Sequence, residues 1–138
     1  MASVRKEFRI DASPDQVWAA LADFQAVHKR LAPGFVTDSK PDSDASGEAR
    51  IVTFANGTSA REILVDLDPQ ARRLVYAVVG NERLKHHSAS AQIVAEPDGR
   101  ARFVWTADFL PNELKPYLDS QMEQGAEVMR RTLSRSAA

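Results

Sequence analysis

The 138-residue sequence contains no cysteine. It therefore has no disulfide framework, no thiolate metal site and no cysteine nucleophile. Lysine and arginine together number 18 against 19 aspartates and glutamates, which gives a net charge of −1. A surface that follows a phosphate backbone needs an excess of positive charge, so we expect no nucleic-acid partner.

Long apolar runs are also missing. No stretch approaches the roughly 18 apolar residues of a membrane span, and residues 1–10 hold no apolar segment typical of a secretory signal. We therefore expect a cytoplasmic protein without a membrane span. A chain of this length buries about two thirds of its unfolded surface, which predicts a single domain over residues 1–138.

Histidine is scarce and offers no obvious metal site. His86 and His87 are neighbours in a predicted strand, so their side chains point to opposite faces and cannot grip one ion. No phosphate-cradling glycine loop or nucleophile elbow occurs. We expect neither a metal nor another cofactor.

The patterns that are present indicate an α+β domain. Val4–Ile10 alternates like a half-buried strand, and Ser13 to Gln16 carries the capping box of a short helix. A second short helix, Phe24–Leu31, precedes six strands whose short turns make neighbours antiparallel. The predicted strands are Phe35–Asp38, Glu48–Phe54, Ser59–Asp66, Arg73–Val79, Lys85–Ala95 and Arg102–Phe109.

The longest helical pattern runs from Asn112, its predicted N-cap, to Ser134. Its apolar face consists of Leu114, Leu118, Gln121, Met122, Gly125, Met129, Thr132 and Leu133. Gln121 and Gly125 stand at the centre of this face, where a larger apolar residue would pack better. Either Gly125 lets the helix approach the sheet closely while Gln121 bonds a strand carbonyl, or the helix roofs a cavity in which Gln121 is a polar group.

A period of two predicts which strand side chains face this helix. The inward residues are His87, Ala89, Ala91 and Ile93 on one strand, Phe103, Trp105, Ala107 and Phe109 on the next, and Leu74, Tyr76 and Val78 on a third. For two strands the period does not decide which face points inward. In Glu48–Phe54, one face carries Arg50, Val52 and Phe54 and the other carries Ile51 and Thr53. In Ser59–Asp66, one face carries Ala60, Glu62 and Leu64 and the other carries Arg61, Ile63 and Val65.

A set of short motifs follows one another in a specific order along nearly the whole chain. They are Ile10-Asp11-Ala12-Ser13-Pro14, Val17-Trp18, Asp23-Phe24, Gly47, Arg50, Gly57, Glu62, Leu64, Asp68, Tyr76, and Trp105 before Pro111. Together they resemble the START/Bet v1-like (SRPBCC) superfamily, in its bacterial polyketide cyclase/dehydrase-like branch. The resemblance implies a helix-grip fold, in which a seven-stranded curved antiparallel sheet wraps a long C-terminal helix and two short helices follow the first strand. It also favours Arg50 and Glu62 facing inward.

Arg50 and Glu62 would pair if both face inward, because each buried alone costs several kcal/mol. On the outer face they would form a surface pair worth less than about 1 kcal/mol. An inward pair, with Tyr76, His87 and Gln121, would give an apolar pocket one polar end. Three roles stay open for His87: a hydrogen-bonded core residue, a non-catalytic pocket contact or a catalytic base.

We expect the protein to bind a small hydrophobic molecule, a lipid or a polyketide-like compound, between sheet and helix. The predicted contacts are Arg50, Val52, Phe54, Glu62, Tyr76, Val78, His87, Ala89, Trp105, Leu118, Gln121, Met122 and Gly125. One alternative is a cyclase or dehydratase in which Glu62 and His87 act as acid and base on a carbonyl substrate. Another is a co-chaperone-like interaction module, which would show an exposed apolar patch and little internal cavity.

Overall fold

A computed structural model describes residues 1–136. The strands are β1 Ala2–Ile10, β2 Val36–Pro41, β3 Ala49–Phe54, β4 Ser59–Asp68, β5 Arg73–Val79, β6 His86–Ala95 and β7 Ala101–Leu110. The helices are α1 Pro14–Ala22 and α2 Lys115–Ser136, with shorter helical segments at Phe24–Ala26, Val27–Leu31 and Asn112–Leu114.

The strands form one antiparallel sheet in the order β1-β7-β6-β5-β4-β3-β2. The predicted helix-grip arrangement is confirmed, with the strand ends shifted by up to three residues. Chain order and sheet order agree from β2 to β7 because short turns join these strands. Only β1 is displaced, since it closes the far edge against β7.

The inward faces of β6 and β7 are those that alternation predicts. On β7, Ala101, Phe103, Trp105, Ala107 and Phe109 are buried, while the residues between them are partly exposed. The buried side chains of α2 are Met122, Ala126, Met129 and Leu133, and all of them except Ala126 belong to the same core cluster as these β7 residues.

An ion-pair cluster fixes α2 against the first strand. Lys6 lies on the inward side of β1, and its Nζ is 2.6 Å from Asp119 Oδ1 and 2.7 Å from Glu123 Oε2. Both carboxylates belong to the first half of α2. The apolar stem of Lys6 can therefore cover core surface while its charge is satisfied at the helix edge.

The helix ends were predicted with mixed success. At α1 the capping box is confirmed, because the Ser13 side chain accepts from the Gln16 backbone and the Gln16 side chain accepts from the Ser13 backbone. At the C-terminal helix the prediction of Asn112 as N-cap is wrong. Asn112 instead begins a 3₁₀ turn that follows the extended Pro111, and α2 starts at Lys115.

The predicted second helix, Phe24–Leu31, is not a regular α-helix. A 3₁₀ turn over Phe24–Ala26 passes into a π-helical segment over Val27–Leu31, which the hydrogen bond from Ala32 N–H to Val27 O closes. Phe24, Val27 and Leu31 are all buried, at spacings of three and four residues. This spacing suits a helix of any pitch, so the sequence predicts a helix here but not the change from 3₁₀ to π.

Candidate functional site

A cavity of about 740 Å³ lies between the inward face of the sheet and α2. Side chains of β3 to β7 form its floor and walls, and Leu114, Leu118, Gln121, Met122 and Met129 cover it. Most of its lining is apolar. Its volume falls within the range of about 300–1,000 Å³ that is usual for small-molecule sites.

Most of the predicted contact residues come together around this cavity. The lining includes Arg50, Val52, Phe54, Glu62, Tyr76, Val78, His87, Trp105, Leu118, Gln121 and Met122. The ambiguous phase of β3 and β4 is thereby settled with Arg50 and Glu62 inward. Two predicted residues, Ala89 and Gly125, do not line the cavity.

Gly125 is a place of close packing and not an opening in the roof. A Cβ at this position would lie 3.1 Å from Phe35 Cε2 and 3.3 Å from Cη2 and Cζ3 of Trp105. Two aromatic rings therefore fill the space that the missing side chain leaves. The first interpretation is therefore correct for Gly125, which lets α2 approach the sheet closely, whereas the second is correct for Gln121, which lines the cavity.

Ala89 is excluded from the cavity by its place in the sheet. It lies on β6 opposite Tyr76 of β5 and Ala107 of β7, and only 1% of it is exposed. Trp105 Nε1 on β7 donates to the Tyr76 hydroxyl on β5 at 3.1 Å, so this bond spans β6. The small Ala89 side chain leaves room for that bridge.

Arg50 and Glu62 form a buried ion pair at one side of the cavity. They are direct cross-strand partners in β3 and β4, and their side chains are each 8% exposed. Arg50 Nε and Nη2 lie 2.8 Å and 2.7 Å from Glu62 Oε1. Arg50 Nη1 donates to the Phe24 carbonyl at 2.7 Å, and the guanidinium lies 3.8 Å from the Phe24 ring centroid.

This arrangement ties the short helical segments to the sheet. One side chain neutralises Glu62, satisfies a carbonyl of the 3₁₀ turn and packs on its aromatic ring. The guanidinium of Arg50 is thus already engaged and leaves little capacity for a ligand anion.

His87 is held by the backbone of the neighbouring strand. The β5–β6 ladder ends at Tyr76 and Ala89, and beyond this point the Val78 N–H donates to His87 Nδ1 at 3.0 Å. Burial, with a smaller effect of the adjacent His86, lowers the pKa of the imidazole to about 4. His87 is consequently a neutral imidazole near pH 7.

Tyr76 is likewise kept neutral. Burial, and next the charge of Glu62, raise the pKa of its hydroxyl above the usual range. Inside the rim, three uncharged polar groups line the cavity in addition to the ion pair: the Tyr76 hydroxyl, the His87 imidazole and the Gln121 amide.

We expect the neutral state of His87 to make stability depend on pH. The pKa is about 4 in the folded chain against the usual 6.5, so as pH falls the unfolded chain takes up a proton first. The stability that the neutral His87 contributes is fully present above about pH 6.5 and is lost as pH falls towards 4. Going from pH 7 to pH 5 should cost about 2 kcal/mol through this group.

Urea unfolding at the two pH values measures this effect. His87→Gln replaces the imidazole with an amide that does not titrate, so it should lose most of the difference. His86→Gln changes the exposed neighbour and should retain most of it. Equal pH dependence in all three proteins would contradict a buried, neutral His87.

Sequence reasoning missed the rim of the cavity. Exposed residues among the lining place the opening between the β3–β4 turn, the β5–β6 loop and the start of α2; they are Asn56, Thr58, Ser59, Asn81, Arg83 and Tyr117. Asn56 Nδ2 donates to the Tyr117 hydroxyl at 3.2 Å and so links two sides of this rim. Loops carry no periodic signal from which the rim could be predicted. Leu84, the one leucine in the polar β5–β6 loop, also lines the cavity, and an apolar residue in such a loop was the one available indication.

Within residues 1–136, no group of three or more His, Cys, Asp or Glu side chains could hold a metal ion. Nor is any helix in this part of the chain long and apolar enough to cross a membrane.

The whole sequence, residues 1–138, matches the model of a family described as "Polyketide cyclase / dehydrase and lipid transport". A search of curated proteins finds no match. Among solved structures, a Thermobifida fusca protein determined by solution NMR is 29% identical, with a TM-score of 0.80; the alignment covers 99% of this chain and 93% of that one.

Two further similar structures show the fold at lower identity. The Zhui aromatase/cyclase from a Streptomyces species is 18% identical with a TM-score of 0.78, over 99% of this chain and 93% of that one. A norcoclaurine synthase point mutant from Thalictrum flavum, in complex with a transition-state analogue, is 14% identical with a TM-score of 0.75, over 99% and 96%.

Proposed function

The chain belongs to the polyketide cyclase/dehydrase and lipid transport family, and from this membership and its cavity we propose that it binds a small, largely apolar molecule between the sheet and α2. The ligand class is a lipid or a polyketide-like compound. The observation that carries the proposal is the cavity of about 740 Å³, whose walls are mainly apolar.

The packing around the cavity supports this function. The core that continues beyond it is fully buried, with Phe109 at 0% exposure. Protein interiors normally leave few voids larger than a water molecule. A space of about 740 Å³ suits an occupant better than a structural role.

The names of two similar proteins support a small-molecule ligand. One is an aromatase/cyclase, and another holds a transition-state analogue. A co-chaperone-like module has less support, since it predicts little internal cavity.

Acid–base catalysis by Glu62 and His87 is also less well supported. Glu62 Oε1 is engaged by Arg50, and the lone pair of His87 Nδ1 accepts the Val78 N–H. A general base needs a free lone pair within reach of the proton that it removes. His87 spends that capacity at Nδ1 on the protein itself, and Glu62 retains it only at Oε2.

Filling the cavity should abolish binding. Ala60 lines the cavity on β4, opposite Val52, so Ala60→Trp places an indole in the space assigned to the ligand. The test is a titration with N-phenyl-1-naphthylamine, whose fluorescence rises in apolar surroundings. The wild-type protein should give a saturable rise, and Ala60→Trp should bind about tenfold more weakly or worse.

Ala95→Trp is the matched control. It adds the same side chain at the exposed end of β6 and should bind the probe as the wild type does. The proposal fails if the wild-type protein shows no saturable binding, or if the two tryptophan variants bind equally well.

A further inference from the structure

Two side chains in the cavity each have a fixed hydrogen-bond donor with no partner in the described chain. We infer that the ligand carries a neutral carbonyl oxygen, which the Tyr76 hydroxyl and His87 Nε2–H hold together. This inference rests on the proposed function and names the chemical group that the site recognises.

The hydrogen of His87 is located by its strand neighbour. Val78 N–H donates to Nδ1 at 3.0 Å, so Nδ1 must carry a lone pair. A neutral imidazole with an acceptor at Nδ1 has its hydrogen on Nε2. The β5–β6 ladder ends at Tyr76 and Ala89, so the imidazole accepts the Val78 N–H in place of a strand carbonyl. The opposite side of the ring then carries the donor Nε2–H.

The hydroxyl of Tyr76 is oriented by Trp105. An indole N–H can only donate, so the 3.1 Å contact from Trp105 Nε1 makes the Tyr76 oxygen the acceptor. The hydroxyl hydrogen is then free to point elsewhere. In residues 1–136 no side chain or backbone oxygen is found to accept it.

The two side chains that carry these donors are neighbours in the cavity wall. The ring centroids of Tyr76 and His87 are 5.8 Å apart with an interplanar angle of 41°, and both residues line the cavity. A carbonyl oxygen has two lone pairs and can accept two hydrogen bonds at once. A hydrocarbon in the same place would leave both donors buried without partners, which is costly.

The charges nearby favour a neutral carbonyl over a carboxylate. Glu62 and Arg50 act on the Tyr76 hydroxyl with opposite signs, and because they form one ion pair they offer no net positive charge to a ligand carboxylate. Three of the five N–H donors of Arg50 already bond Glu62 and the Phe24 carbonyl. A ketone, ester or similar group in an apolar molecule therefore matches the site.

Two probes of nearly the same shape test the inference. In 2-acetylnaphthalene the side group carries a carbonyl oxygen, and in 2-isopropenylnaphthalene a CH₂ group takes its place. Competition against N-phenyl-1-naphthylamine should show that the wild type binds the ketone roughly 10- to 30-fold more tightly, as two neutral hydrogen bonds suggest. Tyr76→Phe should reduce this preference about fivefold.

Tyr76→Phe also leaves the Trp105 N–H without its acceptor, so a second measurement uses the wild-type protein. Nitrogen-15 NMR of the histidine rings should show His87 as the neutral tautomer with its hydrogen on Nε2 at pH 7. A hydrogen on Nδ1, or an imidazolium, would overturn the inference. Equal binding of the two naphthalenes would also overturn it while leaving the proposed function intact, whereas failure of every probe to bind would count against the proposed function itself.

Discussion

Replacing Arg50 with methionine is expected to destabilise the protein by about 3–5 kcal/mol. The substitution keeps an apolar stem of similar length but leaves the Glu62 carboxylate buried without a counter-charge. It also removes the donor to the Phe24 carbonyl and the contact with the Phe24 ring. Urea unfolding at pH 7 measures the loss.

Two further variants separate burial from charge. The double variant Arg50→Met with Glu62→Leu should recover most of the stability, because a buried pair exchanged for apolar residues is often close to neutral. Arg130→Met breaks the exposed pair with Glu127 on α2 and should leave the unfolding midpoint almost unchanged. If Arg50→Met were as mild as Arg130→Met, the pair would not be buried as described.

Gly125→Leu is expected to cost about 3 kcal/mol, the upper part of the usual range for overpacking. Even a Cβ at this position lies 3.1 Å from the ring of Phe35 and 3.3 Å from that of Trp105. A branched side chain would have to displace a ring or lift the helix from the sheet. The midpoint of urea unfolding reports the change.

The neighbouring Gln124 supplies the control for this substitution. It is exposed on the same helix, so Gln124→Leu introduces the same side chain without touching the sheet and should change stability little. Similar midpoints for the two leucine variants would mean that α2 does not approach Trp105 so closely.

The pattern of the central strands could be predicted because one face of the sheet is buried in the core. On β7 the buried residues alternate without interruption from Ala101 to Phe109, and the order of the elements follows from short turns. For β3 and β4, both faces carry apolar residues, so periodicity alone gives no answer. Only the resemblance to a family placed Arg50 and Glu62 inward, and the structure agrees.

What the sequence could not supply is mostly packing between distant segments. From the sequence alone, Gly125 is equally compatible with open space under α2 and with close packing of α2 on the sheet. The choice depends on Phe35, which is 90 positions earlier in the chain and lies against Gly125. The hydrogen bond from Val78 to His87 depends on where the β5–β6 ladder ends. Alternation gives the face of each residue, but not the point at which two strands separate.

The central claim is that a small apolar molecule binds inside the cavity, and the two tryptophans of the chain provide a direct test. Trp105 lines the cavity and Trp18 of α1 does not. A nitrogen-15 NMR titration with N-phenyl-1-naphthylamine follows both indole N–H signals in one sample. The account predicts that the Trp105 signal shifts and saturates while the Trp18 signal stays in place; a shift of Trp18 alone, or of neither signal, would contradict it.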